Sequence, residues 1–346
     1  MGFYTVLDDK RVDDTIARDL NHIVERVTKA LPASEVILGG GFGRGEGSVL
    51  VKEDVIRPVN DYDIFIVVPD DCTADFRAFG KELAGEIQIR LLDLIPIKHS
   101  SLSSLPATQF NYDLRYGSRH LWGDNLLETI PRYKEGFVDH ESGRTLLLNR
   151  LICAIEAFSE DFEFRNMTTE ERFFLVNQTG KIVSSCIESL LIRRNRYHHS
   201  YRKRQETFEA LFPKKESLKQ LNKRATEFKL RPSMSPDFDA VAYWKEAVYE
   251  YVNVISDYLT PGFIPPVYRL WKKLRKKNCK LQITNTLIER VELMLLLYRE
   301  SSFITKKGIL SKAHNELEAI SKTRIQNGGW ENLRGITARL WHELYH

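Results

Sequence analysis

Apolar residues recur along this chain with two different periods, and the change from one to the other divides it. Ile16, Leu20, Ile23, Val24, Val27 and Leu31 fall at helical spacing behind Asp13 or Asp14, either of which can cap a helix that Pro32 ends. Glu35 to Leu38 reads as a short strand feeding a glycine loop, and a second strand begins at Asp61 and runs through Ile64-Phe-Ile-Val-Val68. Residues 48–60, rich in Val, Ile and charge, fit a flap or hairpin between them. Residues 73–86 are spaced as a helix, 88–95 alternate as a strand, and 116–122 form a fourth strand candidate closed by Gly123-Asp124.

From about Arg144 the pattern turns to long helices. Leu147, Leu148, Leu151, Ile155 and Phe158 make one stripe, and Phe173, Leu175, Val176, Ile182, Val183, Ile187, Leu190 and Leu191 another. Further amphipathic segments lie near 238–259, 267–277, 284–297 and 313–323, punctuated by Pro232, Pro236, Pro261, Pro265 and Pro266. Strands early and helices late predict an α+β chain. Its N-terminal domain, residues 1–140, is expected to hold a small mixed sheet flanked by helices. The rest, 141–346, is expected to be all-helical, with a further division open near 230–236.

Composition changes this picture little. At 346 residues, with 42% hydrophobic and 28% charged positions, the chain has the make-up of a soluble globular protein. No apolar run approaches the roughly 20 residues that span a bilayer, so no membrane partner is expected. Residues 1–10 lack a signal-like core, which points to the cytoplasm. Cys72, Cys153, Cys186 and Cys279 lie far apart without metal-ligand spacing and are expected to be reduced thiols. The net charge of +4 is mild but uneven, with basic clusters at 193–204 and 272–277 that suit either a solvated helix face or a phosphate contact.

The chemistry concentrates in Val36-Ile-Leu-Gly-Gly-Gly-Phe-Gly-Arg-Gly-Glu-Gly47 and Asn60-Asp-Tyr-Asp63. Gly39, Gly40, Gly41, Gly43, Gly45 and Gly47 leave backbone N–H groups open to an anion, and Arg44 is the loop's only cation. Asp61 and Asp63, two apart on a strand, point the same way about 6 to 7 Å apart, and a divalent cation would relieve their repulsion. Asp93 interrupts the apolar run Leu91, Leu92, Leu94, Ile95, where an acid needs a partner or a task. Singly, each has a plain alternative: a tight connection, a solvated strand end, a satisfied core acid.

Their order on successive strands resembles the DNA polymerase beta-type nucleotidyltransferase superfamily: a glycine pair, a spacer, Asp-apolar-Asp, and a third carboxylate on a later strand. The loop is also similar to the Gly-Gly-Tyr-Gly-Arg-Gly-Glu form of protein-modifying adenylyl- and uridylyltransferases. The likeness in motif covers residues 36–95. The spacer from Gly41 to Asp61 is longer than usual, which makes 48–60 an insertion. Tyr62 between the aspartates is bulky and must pack on the opposite strand face.

The resemblance implies a nucleotidyltransferase fold followed by a helical domain, a layout comparable to aminoglycoside nucleotidyltransferases. It implies that Asp61, Asp63 and Asp93 are catalytic and hold two Mg2+ ions, with Mn2+ able to substitute. Gly40, Gly41, Arg44 and Gly45 would seat the phosphates of a nucleoside triphosphate, ATP favoured. Lys181, expected to open or interrupt a helix, would reach the triphosphate. A nucleoside monophosphate would pass to an acceptor hydroxyl with release of pyrophosphate, Asp93 taking the proton. A small-molecule or sugar-like acceptor is favoured, although the basic helical half suits a phosphorylated, polyol or nucleic-acid one. Arg115, Tyr116, Arg119 and Trp122 could line the base or acceptor pocket, and Tyr197, His198, Tyr201, Arg202 and Arg204 an anion site. Three alternatives stay open: a toxin-like or regulatory transferase modifying tRNA or protein, an HEPN-like RNA-interacting module carried by Arg194 and His199, and a nucleotide sensor without catalysis. The base, the acceptor and the oligomeric state are not legible.

Overall fold

The computed structural model describes residues 2–33, 35–52, 55–59, 61–262, 266–275, 284–300 and 306–345; Asn60, Pro265, Lys276, Lys277 and Cys279 lie outside them. The chain is α+β and forms two compact units. The first comprises Met1–Asp139, Leu191–Ala210 and Thr226–Met234; the second comprises His140–Leu190, Leu211–Ala225 and Ser235–His346.

In the first unit, α1 (Lys10–Ala30) is capped by Asp9, whose side chain accepts from the Arg11 amide at 2.9 Å. The helix thus starts before either expected cap. Asp13 instead accepts from the amides of Phe3 and Tyr4 at 2.8 and 3.1 Å, tying down the segment before the helix. After α1 come β1 (Glu35–Leu38), the single turn α2 (Gly40–Gly43), β2 (Val49–Lys52), β3 (Val55–Pro58), β4 (Tyr62–Val68), α3 (Phe76–Glu86), β5 (Leu92–Lys98), α4 (Gln109–Gly117) and β6 (Arg119–Gly123). The long spacer is an antiparallel β2–β3 hairpin separate from the main sheet.

Three expectations need adjustment. The helix placed at 73–86 begins at Phe76 because Asp75 caps it through the Ala78 amide. The strand placed at 88–95 begins at Leu92 and continues to Lys98. Arg115 and Tyr116 lie on α4, and only Arg119 onward is strand; Thr108, accepting from the Asn111 amide, starts a helix that apolar spacing did not reveal.

The main sheet has the order β5-β4-β1-β6, with β4 antiparallel to β1 and parallel to β5. Alternation sends Val36, Leu38, Ile64, Ile66, Leu92 and Leu94 to one face, where Ile16, Leu20 and Ile23 of α1 and Leu83 of α3 cover them. Ile37, Phe65, Val67 and Ile97 face the other way, against Leu102, Leu114 and Leu127. Covered on both sides, β4 is a continuous apolar run after Asp63. Tyr62 packs on the face opposite its flanking aspartates, as its bulk required; its hydroxyl donates to Asp19 at 2.9 Å.

The second unit is helical throughout among the described residues. It draws on α5 (His140–Asn149), α6 (Leu151–Glu156), α7 (Thr169–Arg193), α8 (Tyr201–Leu211), α9 (Glu216–Leu230), α10 (Ala240–Leu259), α11 (Pro266–Leu274), α12 (Leu287–Glu300), α13 (Lys306–Ser321) and α14 (Trp330–Tyr345), with the end of α7, most of α8 and the end of α9 belonging to the first unit. Trp244 stacks on Phe158 with ring centres 4.0 Å apart and donates its indole N–H to the Ala154 carbonyl at 3.1 Å. Lys181 stands mid-way along the 25-residue α7, which it neither opens nor interrupts. No helix among the described residues is long and apolar enough to cross a membrane.

Candidate metal centre

Strand register brings the acids together. Asp63 on β4 is the direct neighbour of Asp93 on β5, so parallel pairing places both side chains on one face at about the 4.8 Å inter-strand spacing. Asp61 stands two residues before Asp63 and shares that face. One carboxylate oxygen from each of the three lies within 4.8 Å of the others. The three are half-buried, and Asp61 and Asp63 bring oxygens closer than the 6 to 7 Å that strand spacing alone suggests, because Asp61 precedes β4.

Such a cluster resists full ionisation. Burial, then the Asp61 charge, raises the Asp63 pKa, with Asp93 adding to it and Arg44 and Lys229 opposing. Burial likewise raises Asp93, helped by the charge of Asp61 and a hydrogen bond to it. No cation or backbone amide among the described residues donates a hydrogen bond to any of the three. Three converging carboxylates without a hydrogen-bonded cation among the described residues fit a hard divalent cation, which takes oxygen ligands and compensates their charge.

The glycine turn is built against this cluster. Gly40 has φ +59°, and a Cβ there would come within 1.7 Å of Asp63 Oδ2, so only glycine permits the aspartate its position. At Gly39 a Cβ would strike the Phe65 ring at 2.2 Å. The Gly39 amide donates to the Asp63 carbonyl at 2.8 Å, which fastens the start of the turn to β4. The amides of Gly40, Gly41 and Phe42 open a helical turn and have no acceptor among the described residues. Gly40 and Gly41 are partly exposed, while Phe42 and Gly43 are buried.

Arg44 does not extend freely from the loop. Its side chain is only 8% exposed, with Nη1 3.2 Å from Asp113, Nε 3.8 Å from Glu46 and the guanidinium 4.8 Å over the Tyr201 ring. Burial alone would lower its pKa, but Tyr201 and Asp113 outweigh that and keep it charged. Its charge reaches Asp63, while Nη1 and Nη2 are turned to Asp113 and the Tyr201 hydroxyl and the buried Nε has no hydrogen-bond partner among the described residues. Gly45, with φ +75°, turns the loop after it.

The pocket candidates have structural partners. Arg115 donates to the Leu127 carbonyl and Arg119 to the Gly43 carbonyl, both at 2.7 Å. Tyr116 donates to the Tyr133 carbonyl at 2.9 Å, while Trp122 is exposed on β6. Of the suggested anion site, Tyr197 and Arg204 are buried and Arg202 exposed. Arg194 is exposed; burial, then the charges of His198, Arg44 and Arg204, lower the His199 pKa to about 3, so its ring is neutral at pH 7. Lys272 and Lys273 lie in the last turn of α11. Cys72, Cys153 and Cys186 are free thiols.

Three contributors escaped the sequence reading. Asp113, on α4, pairs with Arg44. Glu46 accepts hydrogen bonds from Ser200, Tyr201 and Arg202, 154 to 156 residues along the chain. Lys229 sets its ammonium 5.7 Å from the Tyr201 ring centre and its charge acts on Asp63. Glu46 was visible within the Gly-Arg-Gly-Glu motif, but nothing local marks Lys229 or Asp113.

Comparison with known proteins returns no match: no family model fits the sequence, and no curated protein or solved structure matches it. The functional reading rests on the site alone.

Proposed function

We propose that the first unit is the catalytic domain of a metal-dependent nucleotidyltransferase, with the nucleotidyltransferase fold that the motif order suggests. The observation carrying this reading is the convergence of Asp61, Asp63 and Asp93 beside a glycine turn whose first amides have no acceptor among the described residues. The reaction moves a nucleoside monophosphate from a nucleoside triphosphate, ATP favoured, to an acceptor hydroxyl. The acceptor oxygen bonds to the α-phosphorus, the bond from that phosphorus to the β-bridging oxygen breaks, and pyrophosphate leaves with the electron pair.

Mg2+ held by Asp61, Asp63 and Asp93, with Mn2+ as substitute, would polarise the α-phosphate and acidify the acceptor hydroxyl. The chain's own groups do the remainder. The free amides of Gly40, Gly41 and Phe42 receive phosphate oxygens, with the partial charge of the turn behind them. Asp93 takes the acceptor's proton at a carboxylate oxygen. Lys229 has a half-buried ammonium with no acidic partner and offsets charge on the departing pyrophosphate. It takes in this scheme the part that the sequence reading assigned to Lys181.

A small-molecule or sugar-like acceptor is favoured. Isothermal titration with ATP, CTP, GTP and UTP, each with and without Mg2+, tests the first step. Metal-dependent binding of at least one is expected, and Asp63→Asn should abolish pyrophosphate release. Failure of all four to bind removes the proposal.

A further inference from the structure

Glu46 is a buried acid, 4% exposed, outside the three-aspartate cluster; its amide donates to the Gly41 carbonyl at 2.8 Å and its carboxylate lies 3.8 Å from Arg44 Nε. Its oxygens accept from Ser200 Oγ at 2.7 Å, the Tyr201 amide at 2.8 Å and the Arg202 amide at 3.4 Å. These amides are the unsatisfied donors at the start of α8, so a residue of the glycine loop caps a helix 154 residues away. A negative charge there also suits the positive end of the helix.

The cap is one corner of a closed network. Arg44 lies between Glu46, Asp113 and the Tyr201 ring. Asp113 accepts from the Tyr197 hydroxyl at 2.9 Å, and Arg204 Nη1 donates to the same hydroxyl at 3.0 Å. The Tyr201 ring, held by the capped first turn, is faced by Arg44, by Arg204 at 4.4 Å and by Lys229 at 5.7 Å. Arg44 and Arg204 are bound to Asp113 and Tyr197, whereas Lys229 meets the ring and, through its charge, Asp63. The Tyr201 ring thus stands between the Glu46 cap and the Lys229 ammonium.

We propose that Glu46 is a positioning residue: by capping α8 it sets the Tyr201 ring, and the ring holds the Lys229 ammonium where its charge reaches Asp63. The acid of the Gly-Arg-Gly-Glu motif then acts through a lysine on a different helix rather than on metal or phosphate. This deepens the nucleotidyltransferase reading and rests on it only for the purpose the lysine serves.

Two measurements test the assignment, and neither uses turnover. Hydrogen exchange on the metal-free full chain should show Glu46→Ala speeding exchange at residues 200–203 and also at 226–231. Glu46→Gln, which keeps one acceptor oxygen, should show a smaller rise at both and covers the case in which the alanine variant does not fold. A rise confined to 200–203 overturns the coupling. The second measurement is titration with Mn2+ alone. An ammonium whose charge reaches Asp63 repels the ion, so Lys229→Met should tighten Mn2+ binding about threefold or more. Glu46→Ala should tighten it similarly, and the double variant no further than Lys229→Met alone. A merely structural cap, once lost, would weaken Mn2+ binding or leave it unchanged, and either result refutes the proposal, as does an additive double variant. If the wild-type chain binds no Mn2+, the metal reading falls and the exchange pattern alone decides the positioning role.

Discussion

Asp63 answers to two opposed demands. Burial and two neighbouring carboxylates raise its pKa, while a metal ligand must be ionised. In the folded metal-free chain Asp63 and Asp93 hold protons above the ordinary carboxylate range of about 4; in the unfolded chain they do not. Their raised folded values make the metal-free fold most stable below that range and weaken it as pH rises through them. Metal affinity should run the other way, still climbing between about pH 5 and 7.5 instead of levelling off near 5. Calorimetric Mn2+ titration across that span checks it, and a flat response would separate these acids from the ion. Asp63→Asn should likewise act in opposite directions. It is expected to lose Mn2+ binding by at least about tenfold yet raise the thermal midpoint of the metal-free chain near pH 7.5. Gly40→Ala tests the same contact from the other side: the added Cβ falls 1.7 Å from Asp63 Oδ2, so the aspartate must move and Mn2+ affinity should drop by roughly tenfold. Unchanged affinity would mean that the turn and the acid are not in register.

At the scale of elements, α12 carries an acid for which the proposed reaction has no use. Glu292 is fully buried in the second unit, and neither carboxylate oxygen has a hydrogen-bond partner among the described residues. Burial, then the Glu289 charge, raises its pKa well above the ordinary value. The folded unit therefore holds this proton over a pH range in which the unfolded chain has released it. Stability is complete below the unfolded pKa of about 4.3 and declines as pH rises toward the folded value, at up to about 1.4 kcal/mol per pH unit. Glu292→Gln removes the titration and nearly keeps the shape. Denaturant unfolding should find the variant close to the parent near pH 4.5 and more stable near pH 7.5. Parallel curves for the two proteins over that range would show the carboxyl to be solvated. What the sequence reveals about an element follows the same physics. The acids of β4 and β5 were legible because a period of two and a parallel register leave their side chains little choice of direction. The start of α1 was not, because Asp9, Asp13 and Asp14 are equal candidates locally and Asp13 is taken by the amides of Phe3 and Tyr4. The 9-residue α4 hid for a related reason: it buries Tyr112 and Leu114 but leaves Phe110 and Tyr116 exposed, so its apolar spacing does not signal a helix.

For the molecule as a whole, linear order and spatial membership part company. The change from strands to helices is written near residue 140, and the first unit does close its opening segment at Asp139, but it also takes in 191–210 and 226–234. Those later segments supply Ser200 and Tyr201 to Glu46, Tyr197 to Asp113, and the His199 side chain that packs at Gly117. They also supply Lys229. No pattern within residues 1–140 announces such partners, because the pairs are separated by 80 residues or more and each half looks ordinary alone. Without them, Arg44, Glu46 and Asp113 would be left with one another in a site shaped for more donors and acceptors, and an unmatched buried charge costs several kcal/mol. A fragment of residues 1–139 should therefore lack a cooperative thermal transition, or melt well below the full chain, and bind Mn2+ weakly despite containing all three aspartates. A fragment of residues 1–234, which restores every segment of the first unit, should recover both the transition and Mn2+ binding to within about threefold of the full chain. Circular dichroism melts and Mn2+ titrations on the two fragments decide the matter. A shorter fragment that melts and binds like the full chain would show that the returning segments decorate the unit without helping to form it.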